Sequence, residues 1–182
     1  MILFPSRKRR ERDTSECIYA AAVAASRRPA FFLAYGVEDT LQGRFEMLAL
    51  HLFPLLHRLM RDPGDDPDLA RLVSEVMVVD MDDALRGLGV SDTRVPRRMK
   101  TLYRSFAGRI SAYSEALSAG DAALAAAVTR NVYPEGAEDM RALALSRYLE
   151  TAVLALRAAD LDALRRGILP YPEPAASQER IA

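Results

Sequence analysis

The stretch DTLQGRFEMLALHLFPLLHRL, residues Asp39–Leu59, decides how this chain is read. Leu41, Phe45, Leu48, Leu52, Leu55 and Leu59 recur at steps of three and four, which builds one apolar stripe along an α-helix. Arg44, Glu46, His51 and His57 interrupt it, and Pro54 removes a backbone donor, so a kink or a division of the helix is expected there. At about 100° per residue, Arg44, His51 and Arg58 fall close to one face while Glu46 and His57 fall on another. The polar groups therefore pose a choice between a reaction centre and the internal bonds of a buried helix. On the second reading, His51 bonds to a neighbouring backbone or carboxylate group. A buried pair from Arg44 to an Asp or Glu would fix the register of two helices.

Working outward, helical patterns account for almost all of the chain. Asp13 and Glu16 form an acidic capping box before CIYAAAVAASR, which ends ahead of Pro29. Asp66 and Pro67 open a helix through LARLVSEVMVVDMDDALRGLG, closed by Gly87 and Gly89. Ser91–Thr93 precede VPRRMKTLYRSFAGRISAYSEALSAG, whose Leu102, Phe106, Ile110, Tyr113 and Leu117 make an inner stripe. Further helices are expected over Asp121–Arg130, Ala137–Ala158 and Leu161–Arg166. Half of the residues are apolar, alanine and leucine dominate, and no alternating Val/Ile/Thr run occurs. The expectation is one compact all-α domain of about six or seven helices over residues 13–168. A basic flexible arm at residues 1–12 precedes it, and a Pro-rich flexible tail at residues 169–182 follows.

Charge balances overall, with 25 basic against 25 acidic residues, but its distribution is uneven. Asp62–Asp83 is strongly acidic, whereas Arg94, Arg97, Arg98, Lys100, Arg104 and Arg109 follow one another without an acid between them. Adjacent segments of opposite sign point first to pairing within the molecule and second to steering of a partner. The basic residues Arg94, Arg97, Arg98 and Lys100 are accordingly a candidate surface for phosphate, lipid or RNA.

Catalytic and metal patterns find little support. Di-iron bundles require Glu-x-x-His pairs on one face, and none is present; Glu46 and His51 diverge by about 140°, His51 and His57 by about 120°. No phosphate loop, dinucleotide fingerprint or nucleophile elbow occurs, and Cys17 stands alone without a neighbouring His. Asp80, Asp82 and Asp83 sit on different helix faces near Arg86, an arrangement suited to surface ion pairs. No catalytic role, metal or cofactor is expected. The N-terminus has too short an apolar stub for a signal peptide, and no segment has the length of a transmembrane helix. A bacterial cytoplasmic location follows as an expectation, with peripheral contact to the inner membrane as its variant.

DTLQGRFEMLALHLFPLLHRL, VVDMDDALRGLGVSD, RMKTLYRSFAGRISAYSEAL and AALAAAVTRNVYP occur in an order that resembles the ubiquinol-cytochrome c chaperone family, and IYAAAVAASRRPAFFLAYGVEDT resembles the entry segment of its bacterial members. The residues that match are Asp39, Gly43, Arg44, Phe45, Glu46, Leu50 and His51, then Asp80, Asp82, Leu85, Arg86, Gly89 and Val90, then Gly108, Tyr113, Asn131 and Tyr133. The resemblance implies an all-α assembly factor that receives newly made cytochrome b during maturation of the cytochrome bc complex. It implies further contacts with the ribosome and the inner-membrane surface, and a small partner subunit in the mitochondrial relatives. A client of that kind calls for exposed apolar surface, for which Phe31, Phe32, Tyr35, Leu52, Phe53 and Leu56 are the candidates. The alternative is a peripheral membrane or RNA-associated helical module that uses the arginine-rich segments.

Overall fold

The computed structural model describes residues 7–61, 66–136 and 139–176. Eight helices follow in order: α1 (Arg7–Ser26), α2 (Pro29–Leu33), α3 (Leu41–Arg61), α4 (Pro67–Gly87), α5 (Val95–Ala119), α6 (Asp121–Val132), α7 (Asp139–Ala158) and α8 (Leu161–Arg165). No strand occurs among the described residues. The all-α expectation holds, and the seven anticipated helices are joined by the five-residue α2, which Pro29 starts and Gly36, at φ 68°, helps to end.

Helix α3 is the axis of the fold. It packs against α1, α4, α5, α6 and α7, and every residue from Ala49 to Leu56 is buried. One of its sides, with Met47, Leu50 and Phe53, closes a core with Phe31, Tyr113, Val128, Leu145 and Leu149. The other, with Leu52, Leu55 and Leu59, closes a second core with Ile18, Ala22, Val73, Met77, Phe106 and Leu164. A helix enclosed on both sides offers little solvated surface along its middle turns, so a polar group there, such as His51, favours a partner inside the protein. Pro54 lies in the interior of α3 and does not divide it. Its ring withholds one backbone bond, and packing on all sides holds the helix through that gap.

Two boundary expectations change. Helix α1 begins at Arg7, so the described part of the basic run is helical, and Asp13 and Glu16 lie within the helix instead of capping it. Glu16 pairs with Arg12 one turn earlier at 2.8 Å, the familiar i,i+4 geometry that extends a helix through charged sequence. At the other end, residues 169–175 are not a free tail. Tyr171 is buried against the second core and bonds to α3, and its neighbours bond to Arg28 and Tyr35 on either side of α2, as described below. Residues 1–6 of the expected arm and 177–182 of the expected tail lie outside the described residues.

Candidate functional site

Arg44, Glu46 and His51 of α3 fall into three sets. At its entrance, Thr40 accepts a hydrogen bond from the Gly43 amide at 3.1 Å and so caps the helix, while Arg44 pairs with Asp39 at 2.6 Å on the surface. Arg44 therefore makes a local ion pair and not the buried interhelical one that its position suggested. Gly43 sits directly under the incoming chain: a Cβ there would stand 1.9 Å from the Glu38 carbonyl oxygen.

The interhelical pair belongs instead to Glu46. Its carboxylate, 1% exposed, receives two bonds from Arg109 of α5, Nε to Oε2 at 2.9 Å and Nη2 to Oε1 at 2.7 Å, and a further bond from Gln42. Two parallel N–H···O contacts fix both distance and angle between α3 and α5. Because the carboxylate is sealed from water, deleting Arg109 would strand a charge at a cost of about 3 kcal/mol. The Arg109 guanidinium also lies 5.9 Å from the centre of the Phe45 ring. Tyr113, fully buried on the next turn of α5, has its pKa raised first by burial and then by Glu46, with Arg109 and Asn131 acting in the opposite sense. Glu46, Tyr113 and Asn131, scattered in sequence, thus meet where α3, α5 and α6 join.

His51 forms the third set. It is entirely buried, with Nδ1 2.8 Å from the Met47 carbonyl and Nε2 2.9 Å from the Tyr148 hydroxyl. The Met47 carbonyl can only accept, so Nδ1 carries the proton and Nε2 accepts from Tyr148. Phe31, Tyr148 and Tyr171 surround the ring at centroid distances of 5.1, 5.5 and 5.0 Å. Burial lowers the His51 pKa to about 4, against the opposing pull of the Met47 bond. Between pH 6.5 and about 4 the unfolded chain binds a proton that the folded protein refuses. Stability should therefore fall as pH decreases through that window, by up to about 3 kcal/mol, and level off below it. Replacing His51 with Gln should remove this slope whatever constant offset it introduces, as read from urea midpoints at pH 7 and pH 4.5 in the two proteins. Equal slopes would place the protonation elsewhere.

Most of the remaining matched positions make contacts within the fold. Tyr19 of α1 donates to Asp80 of α4 at 2.7 Å, and Tyr133 donates to the Tyr35 carbonyl at 2.8 Å. Arg86 links Asp82 and Asp92 on the surface beside Gly89, which adopts φ 77°, a conformation favouring glycine where α4 turns toward α5. Leu85 accepts a backbone bond from Val90 in the same turn. Gly108 faces open space on α5, where a Cβ would meet nothing within 4 Å. Among the described residues, no three side chains of metal-ligating type gather.

The anticipated apolar surface is corrected. Phe31, Tyr35, Leu52, Phe53 and Leu56 are each at most 4% exposed, and Phe32 is half-buried. They fill the cores because α3 is enclosed on two sides, where the stripe reading allowed for one. An open apolar groove of about 370 Å³ nevertheless lies where α3, α4 and α5 meet. Phe53, Leu56 and Phe106 form its floor; Met60 and Tyr103, both more than half exposed, stand at its margin; Ala107, Ser111 and Ser114 of α5 line its wall. Sequence pattern singled out Phe53 and Leu56 of this groove but not Met60, Tyr103 or the α5 wall. Nor did it find Arg109 as the partner of Glu46.

Among the described residues, the acidic and basic segments do not pair. Asp68, Glu75, Asp80 and Asp82 of α4 engage Arg71, Arg86 and Tyr19, while Arg94, Arg97, Arg98 and Lys100 are exposed and have no ion-pair or side-chain hydrogen-bond partner among the described residues.

With this geometry in place, comparison with known proteins is decisive. Residues 33–171 match the ubiquinol-cytochrome C chaperone family, an interval that contains α3, the Glu46–Arg109 clamp, His51 and Tyr171. The chain belongs to this family. A protein of solved structure, the Cbp3 homolog from Brucella abortus, is similar to this chain with a TM-score of 0.81 and 37% identity, covering 92% of this chain and 93% of that one. The mouse protein called ubiquinol-cytochrome c reductase complex assembly factor 1 is 27% identical over 128 residues, 70% of this chain and 43% of that protein. Its Drosophila melanogaster counterpart is 26% identical over 140 residues, 74% of this chain and 54% of that protein. The chain thus spans about half the length of the assembly factors it matches. No described helix is long and apolar enough to cross a membrane.

Proposed function

We propose that this chaperone takes part in assembly of the ubiquinol-cytochrome c reductase complex by binding newly made cytochrome b, and that the groove between α3, α4 and α5 is where the client rests. Membership of the family supplies the process. The groove carries the choice of surface, because it combines in one concavity an apolar floor of Phe53, Leu56 and Phe106 with exposed Met60 and Tyr103 at its margin. Along its α5 wall the residues are small, Ala107, Ser111 and Ser114, so a client helix can approach the backbone closely. The role is binding and not catalysis: Glu46 and His51 are occupied inside the fold, Tyr113 is fully buried, and none of the three faces a substrate.

A photocrosslinking amino acid at Met60, Tyr103 or Ala107, expressed in the native host, should capture cytochrome b during its synthesis. The same probe at exposed Leu154 on α7 should not. Equal capture at both places would remove the groove from the proposal, and capture at neither, together with normal cytochrome b levels in a deletion strain, would remove cytochrome b as the client. The ribosome and a small partner subunit are additional proposed contacts that the same crosslinks would identify.

A further inference from the structure

Arg94 and the basic residues in the first half of α5 are left without partners. Arg94, Arg97, Arg98, Lys100 and Arg104 are all exposed, and none has an ion pair or side-chain hydrogen bond among the described residues. Their position makes this more costly, since the first turn of α5 has no acid and the positive end of a helix dipole disfavours cations there. Such an arrangement is unfavourable for the isolated protein and favourable next to a fixed layer of negative charge.

Direction narrows the partner. At about 100° per residue, Arg97, Lys100, Tyr103, Arg104 and Ala107 share an outward arc of about 120° on α5. Tyr103, 53% exposed, and Ala107 belong also to the rim of the apolar groove, where Met60 is 57% exposed. One helix face therefore joins cations, an amphipathic aromatic residue and an entrance lined with apolar groups. Cations alone would suit any polyanion, but the adjoining apolar rim suits a surface with charge outside and hydrocarbon beneath it. We infer that the first half of α5 docks this protein on the surface of an anionic lipid bilayer, with Arg97, Lys100 and Arg104 among the headgroups and Tyr103 at their depth. Docked in this way, the mouth of the groove opens along the membrane, at the level where apolar helices of a membrane client would become available.

Flotation of the full chain with phosphatidylcholine vesicles, with or without phosphatidylglycerol, tests this. The protein should float with the anionic vesicles only and be released by molar salt. At about one factor of ten in affinity for each one or two cations near such a surface, the triple variant R97E/K100E/R104E should bind at least about a hundred-fold more weakly. A matched variant with the same change in net charge elsewhere, R27E/R147E/R166E, should lose far less. Melting curves accompany each protein, and if the reversal unfolds, the neutral triple R97Q/K100Q/R104Q replaces it. Tyr103→Ser should weaken binding while leaving its salt dependence intact. Equal losses in the two triple variants would reduce the effect to net charge and overturn the inference. So would binding to RNA in place of vesicles, or a salt-sensitive dimer lost in the α5 variant without any vesicle binding. Capture of cytochrome b by a protein that never floats would sink the docking and leave the chaperone role standing.

Discussion

Replacing Gly43 with alanine should destabilise the protein by about 3 kcal/mol or more, lowering the melting temperature by roughly 6–12 °C for a chain of this size. The sign is what makes the result informative. In a helix interior alanine is favoured over glycine by about 1 kcal/mol, and it also reduces the freedom of the unfolded chain, so an unobstructed site would become more stable. At Gly43 a Cβ would stand 1.9 Å from the Glu38 carbonyl oxygen, with the Glu38 carbonyl carbon at 3.0 Å and Val37 Cγ1 at 3.4 Å. The nearest atom is backbone, so no rotamer change relieves the clash. Residues 37–40 would have to lift off the first turn of α3, taking with them the Thr40 cap and the Asp39–Arg44 pair. Gly108 provides the internal comparison. It too lies inside a helix, α5, but faces open space, and Gly108→Ala should raise stability by about 1 kcal/mol. Thermal melts of the two variants should move in opposite directions. A stabilised Gly43→Ala would mean that the loop does not rest on α3 in solution.

The two glycines show what could be read from the chain and what could not. Helices announce themselves through short-range periodicity, and the steps of three and four in Leu41–Leu59, with Pro67 and Gly120 at helix boundaries, are enough to place nearly every element. Periodicity does not say how many faces of a helix are covered. The spacing marks one apolar stripe on α3, yet two cores close on it, because residues between the stripes, such as Met47, Ala49 and Leu50, are apolar as well. That single difference converts Phe31, Tyr35, Leu52, Phe53 and Leu56 from candidate surface to interior. Long-range partners are equally hidden. Glu46 and Arg109 are 63 positions apart, and nothing local distinguishes Arg109 from the five unpaired cations that precede it. Opposite net charge in adjacent segments suggests pairing between α4 and α5. The actual partners lie nearer, with Arg71 reaching Glu75 and Arg86 reaching Asp82 one turn away. Short i,i+4 contacts cost less conformational entropy than contacts across a helix interface, and they neutralise the acids before α5 can. The basic face is what remains.

Tyr171→Ala should cost about 3–4 kcal/mol, the loss expected when a buried aromatic residue is truncated and the site collapses only in part. The residue lies between Pro170 and Pro172 in a segment without helix or strand, and composition alone makes that segment a loose tail. In the structure its ring packs 5.0 Å from His51 and its hydroxyl donates to the His51 carbonyl at 2.6 Å. The flanking chain is fastened by Arg28, which donates to the Pro172 carbonyl at 3.0 Å, and by the Tyr35 hydroxyl, which accepts from the Ala175 amide at 3.0 Å. Prolines aid this docking, because a chain already restricted loses less entropy when it is laid down. Tyr171→Phe keeps the ring and should lose only about 1 kcal/mol, which separates packing from the hydrogen bond. A second readout excludes a merely general loosening. His51 owes its low pKa to burial beneath this ring, so in Tyr171→Ala its imidazole should titrate closer to the ordinary value of 6.5. The chain has two histidines, so NMR titration can follow each one. A raised His51 pKa with an unmoved His57 would establish residues 169–175 as the cover over α3. If His51 still resists protonation in a protein that melts like wild type, the strap lies on the surface without sealing it, and α2 and α7 alone keep water out.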